Sequence, residues 1–157
     1  MHLNIDAMYE ALKNEYILII KLHPAIRNKL LYKEIYANFL YDYSLYPNIN
    51  DLFLITDILI TDYSSIPFEF CLLNKPMIFF TYDLKTYAKK RGIMEGVMSA
   101  APGPVVYNST EVIEAIQNYS FDVKKMKEFN EYWNQYSNGS SSKNLVNYLF
   151  SQNEVEF

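Results

Sequence analysis

ILITDYSSIPFEFCLLNKPMIFF, residues 58–80, places a hydroxyl-rich turn between two apolar runs, with a short apolar segment and Asn-Lys-Pro after the turn. Residues 57–61 have the length and Ile/Leu content of a buried strand. Residues 64–73 form the pattern of a helix. Pro67 fits its first turn, where a missing N–H costs no hydrogen bond. Asn74 can adopt the left-handed stop, and Pro76 prevents continuation. Residues 77–81 then form the next strand. A strand, a helix and a second strand in immediate succession is the unit of a parallel sheet.

The same alternation extends outward. On the N-terminal side, residues 4–14 are expected to form a helix with Ile5, Met8, Ala11 and Leu12 on one face. Residues 16–22 form an Ile-rich strand that ends at His23-Pro24, where proline forces the preceding residue out of helical geometry. Residues 26–40 are open to more than one assignment, a helix being one, and a short strand is expected near 41–45. Asn50 or Asp51 can cap a short helix reaching Thr56. On the C-terminal side, a polar loop rich in Tyr and Lys is expected up to Gly92. A last strand follows at 105–107, then a helix capped by Ser109 with Glu111 in its first turn. Two further helices fall at 122–136 and 141–151. The strands are nearly continuous hydrophobic runs, as required when both faces of a sheet are covered. The fold class is therefore α/β, a Rossmann-like parallel sheet with helices on both faces.

Composition narrows the function. The chain has 157 residues, half of them hydrophobic, with 15 Tyr, 10 Phe and only four Gly. That length and content suit one domain with its own core. A net charge of −4 argues against a dedicated nucleic-acid binder, which carries a basic excess. The single cysteine, Cys71, allows no internal disulfide and fits a reducing compartment. With two histidines, a Cys/His metal site is not expected, nor is any cofactor. There is neither a signal-peptide pattern nor a run long enough to span a bilayer. A cytoplasmic protein is expected, able to lie at the inner face of the cell membrane.

Ligands of open parallel sheets bind at the carboxyl ends of the strands. That rule directs attention to His23, to residues 61–65 and to the loop after Phe80. Thr61, Asp62, Tyr63, Ser64 and Ser65 bridge a strand and a helix start, where unpaired N–H groups carry partial positive charge. With the hydroxyls of Thr61, Ser64 and Ser65 they can cradle phosphate without a glycine loop, although Ser64 can equally serve as a helix cap. Glu69 is the only charged residue on its helix. It can accept from a ribose or polyol, or simply face solvent. His23 can donate to phosphate or move a proton, or be structural. Arg91, before Gly92, has the bidentate geometry for a diphosphate, whereas Lys89 and Lys90 fit an ordinary solvated run. The dinucleotide fingerprint, the P-loop and the nucleophile elbow are absent.

In this order, KLHP at 21–24, ILITDYSSIPFEF at 58–70, NKPMIFF with Tyr82-Asp83, Arg91-Gly92 and APGPVV at 101–106 resemble the C-terminal domain of the CDP-glycerol glycerophosphotransferases, the teichoic-acid primases and polymerases. The resemblance runs from about Tyr16 to the C-terminus. It implies the donor half of a two-domain GT-B transferase, with CDP-glycerol or a related CDP-polyol as donor and metal-independent transfer of a polyol phosphate. It implies that His23 is catalytic and contacts donor phosphate. It gives the donor diphosphate to Ser64 and Ser65, and donor-side roles to Arg91 at phosphate and Asp83 at nucleotide or polyol. The reading of the residues themselves adds Thr61 to the phosphate cradle and Asp62 and Glu69 to the nucleotide or polyol. The expected organisation is one donor-binding domain over 1–157 without the family's N-terminal acceptor domain. Segment 94–101 departs from the family pattern. Two other readings stand beside this one: a non-catalytic binding fragment or subunit needing a separate acceptor domain, and a sugar-nucleotide glycosyltransferase domain of the same architecture.

Overall fold

A computed structural model describes residues 2–23, 33–92, 98–119 and 121–151. Among these residues are five strands, β1 (Leu18–Ile20), β2 (Leu40–Asp42), β3 (Leu59–Thr61), β4 (Met77–Phe80) and β5 (Val105–Val106), interspersed with helices. The helices are α1 (Ile5–Leu12), α2 (Ile49–Ile55), α3 (Ile66–Phe70), α4 (Leu84–Arg91), α5 (Ser109–Gln117), α6 (Val123–Trp133) and α7 (Ser141–Ser151). All strand pairs are parallel. Pairing divides the strands into β1–β2 and β3–β4–β5, where one continuous sheet was expected. The two ladders nevertheless share a core, because Ile20 and Leu40 pack in the same cluster as Ile78, Phe80 and Val106.

β4 organises the molecule. It lies between β3 and β5, with Thr61 opposite Phe79 and Phe79 opposite Val105. All four of its residues are buried, and the two-residue period of a strand sorts them to opposite faces. Ile78 and Phe80 meet Met8 and Leu12 of α1 and Val112, Ala115 and Ile116 of α5. Met77 and Phe79 meet Phe53 of α2, Phe70 and Cys71, and Phe129 of α6. Helices thus cover both faces, as expected of an α/β fold. On α1 the inward residues are Met8 and Leu12, while Ala11 of the expected face is exposed.

Several local expectations are corrected. α5 is capped by Asn108, whose side chain accepts from the Glu111 N–H. Ser109 instead accepts the Asn4 N–H, at 2.8 Å, and so ties the start of α1 to the start of α5. Asn48, not Asn50 or Asp51, caps α2 by accepting from the Asn50 N–H. The Asp51 carboxylate is held instead by Tyr46 and Asn48. The expected loop before Gly92 contains α4, which buries no residue and so lacks the apolar stripe that marks a helix. Its signals are polar: Lys89, Lys90 and Arg91 in the last turn, favoured by the helix dipole, and Gly92 at φ 76° as the stop. Residues 24–32, which contain the first part of the ambiguous segment, and 93–97, which contain the first half of the segment departing from the family pattern, lie outside the described residues.

Candidate functional site

The turn after β3 is built from its own side chains. Ser64 Oγ accepts the Ile66 N–H at 3.2 Å, so α3 begins at Ile66 rather than at Ser64. Ser65 is the cap residue, but its hydroxyl makes no capping bond. Pro67 is buried in the first turn of α3 and fixes the direction in which the chain leaves the turn. The helix tightens to a 3-10 turn over Cys71–Leu73 and stops at Asn74, φ 51°. The left-handed stop expected at Asn74 is therefore present. These constraints hold Ser64 and Ser65 at the carboxyl end of β3.

A cleft of about 200 Å³ opens beside this turn. Asp62, Ser64 and Ser65 supply its polar side, and Tyr63, Phe68 and Tyr87 supply aromatic walls. Phe79 of β4 forms part of the floor, and Gly92 and Met98 reach it from the far end of α4 and the segment beyond. A small set of polar groups in a mostly apolar concavity is the common composition of small-molecule sites.

The expected site residues separate into three groups. Asp62, Ser64 and Ser65 line the cleft. Asp83 and Arg91 adjoin it: Asp83 Oδ1 accepts from the Tyr63 phenol at 2.8 Å, and exposed Arg91 directly precedes cleft-lining Gly92. Thr61, Glu69 and His23 are not on its surface. Thr61 is buried in the strand, Glu69 faces solvent on α3, and exposed His23 lies three residues beyond the end of β1.

Sequence reasoning missed the aromatic framework. Tyr63 stacks on Tyr87 with centroids 3.8 Å apart and planes 15° apart. His2 stacks on Tyr82 with the same separation. Burial, reinforced by Asp83, raises the Tyr63 phenol well above its ordinary pKa. Burial and the nearby carboxylates of Asp83 and Asp62 raise that of Tyr82. The Tyr63 phenol donates to Asp83 in its neutral form. The recurrence of Tyr at 63, 82 and 87 is the signal that could have pointed to the framework.

An α/β domain with a cleft at the carboxyl end of a parallel strand belongs to the broad class of open-sheet folds whose ligand sites lie at that edge. Within that class, the chain belongs to the CDP-Glycerol:Poly(glycerophosphate) glycerophosphotransferase family, whose model matches residues 1–151. It is 46% identical over 146 residues to the teichoic acid glycerol-phosphate primase of Bacillus subtilis (strain 168), covering 92% of this chain and 37% of that protein. It is 39% identical over 154 residues to the teichoic acid poly(ribitol-phosphate) polymerase of Bacillus spizizenii (strain W23), covering 98% of this chain and 25% of that protein. The solved structure of the wall teichoic acid polymerase TagF superposes with a TM-score of 0.79 at 30% identity, over 97% of this chain and 38% of that one. A variant of the same polymerase soaked with CDPG gives 0.76 at 28% identity, over 97% of this chain and 39% of that one. The chain thus spans well under half the length of these relatives.

Proposed function

We propose that this chain is the donor-binding domain of a glycerophosphotransferase that uses CDP-glycerol or a related CDP-polyol in the synthesis of teichoic-acid or similar cell-surface polymers. The observation that carries the proposal is the cleft, where Ser64, Ser65 and Asp62 sit at the end of β3 among aromatic side chains. Family membership and the CDPG-soaked relative indicate which kind of guest suits it. The two serine hydroxyls hold the donor diphosphate. The aromatic walls accept the nucleoside, and Asp62 faces its hydroxyls or those of the polyol.

In the transfer, an acceptor hydroxyl oxygen attacks the β-phosphorus of the CDP-polyol. The bond from that phosphorus to the bridging oxygen breaks, CMP departs with the bonding electrons, and the acceptor proton passes to a base. Catalysis of this kind is mainly positioning and charge stabilisation. Arg91, beside the cleft, offsets charge on the departing phosphate. His23 is assigned to donor phosphate by the family resemblance, and Thr61 and Glu69 to phosphate and polyol by their place in the sequence beside the turn; none of the three lines the cleft.

A second reading rests on the chain's coverage of 37% and 25% of two relatives. On that reading the chain binds donor but turns it over only when joined to an acceptor-binding domain, in the same polypeptide or in a partner. Calorimetry with CDP-glycerol, CDP-ribitol, UDP-sugars and CMP-sialate tests the donor proposal. Saturable binding of a CDP-polyol without added metal is expected, and Ser65→Ala should weaken it roughly three- to tenfold by removing one hydroxyl donor. A folded chain that binds none of the CDP-polyols overturns the proposal. Transfer that appears only when an acceptor domain is supplied selects the second reading.

A further inference from the structure

We propose that Tyr63 is a positioning residue that locks together the two walls of the cleft. One wall is the turn after β3, which carries Ser64 and Ser65. The other is the start of α4, which carries Tyr87 and leads to Arg91 and Gly92. Tyr63 joins them twice, by its phenol, 2.8 Å from Asp83 Oδ1, and by its ring, stacked on Tyr87 at 3.8 Å.

The geometry of Asp83 is unusual for its place in the helix. It occupies the cap position of α4, where a carboxylate ordinarily accepts from the first free N–H groups. Its side chain makes no capping bond there. Its backbone carbonyl accepts from the Thr86 and Tyr87 amides, at 2.9 Å and 3.0 Å, and the carboxylate is turned to the Tyr63 phenol. A favourable cap is thus given up for a bond between crossovers 20 residues apart. Hydrogen bonds to a charged acceptor are among the stronger neutral–ionic contacts. Together with the stack it fixes the spacing across which a donor's phosphates and nucleoside would lie. A displacement of about 1 Å in such a site is enough to reduce function substantially.

The inference rests on the cleft being the donor site, and its test has one readout that does not depend on a donor. In ligand-free protein, hydrogen exchange is followed at the Ile66 and Phe68 amides on one wall and the Thr86 and Tyr87 amides on the other. All four are hydrogen-bonded at the cleft. Tyr63→Phe keeps the ring and removes only the donor. It should speed exchange on both walls together, roughly fivefold or more, with global unfolding little changed. Asp83→Ala should do the same, and Asp83→Asn, whose amide oxygen still accepts, should restore protection. In CDP-glycerol titrations Tyr63→Phe should weaken binding by roughly tenfold, and the Tyr63→Phe/Asp83→Ala double variant should bind no worse than the weaker single variant. Unchanged exchange at Thr86 and Tyr87 in Tyr63→Phe overturns the lock, whatever the donor does. Additive losses in the double variant overturn it as well. If wild type binds no CDP-glycerol while Tyr63→Phe still speeds exchange on both walls, the donor reading falls and the lock stands.

Discussion

β4 and α7 are both rich in large apolar side chains, Met77–Phe80 in one and Leu145, Val146, Tyr148, Leu149 and Phe150 in the other. Their surroundings are opposite. Every residue of β4 is at most 6% exposed, whereas those five residues of α7 are at least 52% exposed. β4 has helices on one face, helices on the other and strands on both edges, so its apolar surface is fully used within this chain. The apolar face of α7 has no such cover among the described residues. The contrast teaches that apolar content identifies an element but not the surface it meets. It also separates the chain into a part whose stability is internal and a part whose side chains contribute little to it.

Three measurements can break or sharpen that contrast. The largest effect is expected in β4. Phe79→Ala removes a side chain that is 1% exposed between α2, α3 and α6, and should cost about 3–5 kcal/mol in denaturant unfolding. A loss below about 1 kcal/mol would mean that the strand is less central than its burial implies.

A middle-sized effect is expected at Cys71, in the cluster beneath β4. The thiol is fully buried and receives an N–H bond from Asn134 at 3.0 Å. Burial pushes its pKa from 9.0 up to about 11. The unfolded chain therefore loses the thiol proton first as pH rises. The stability associated with the neutral thiol is complete below about pH 9 and falls between pH 9 and pH 11. Comparison of pH–stability profiles should show an extra decline in wild type, on the order of 1–2 kcal/mol, that is missing from Cys71→Ala. Parallel profiles would count against it. The smallest effect is expected in α7, where Leu145→Gln and Leu149→Gln should each change unfolding stability by no more than about 0.5 kcal/mol. A loss of 2 kcal/mol or more would show that α7 packs within the chain and would erase the contrast.

Much of this architecture was legible in the sequence. Continuous apolar runs at 59–61 and 77–80 predict strands buried on both faces, and strict alternation then places Met77 and Phe79 opposite Ile78 and Phe80. Asn74 before Lys75-Pro76 marks a helix stop with few alternatives. α4 was hidden because helix recognition relies on an apolar stripe, and α4 has none. The caps were displaced by one to three residues where several Asn, Asp and Ser compete, since each can bond a nearby N–H and only the backbone path decides which does. In the candidate site, Asp62, Ser64 and Ser65 could be named in advance because they share one turn. The bond from Tyr63 to Asp83 could not. It joins residues 20 apart, and nothing in either local stretch specifies the angle at which the two crossovers meet.

Gly103 illustrates how such close packing would appear from outside the structure. A Cβ at this position would lie 1.8 Å from the Met77 carbonyl oxygen, and backbone atoms cannot yield as a flexible side chain can. Gly103 does not line the cleft at the end of β3. In a library in which every position is randomised and variants are selected for growth, column 103 would come back empty of all but the parental residue. An observer ranking positions by intolerance alone would place it beside Ser65 and infer a ligand. Sorting survivors first by abundance of folded protein, and only then by donor capture, would move Gly103 out of the functional set and leave the serine in it.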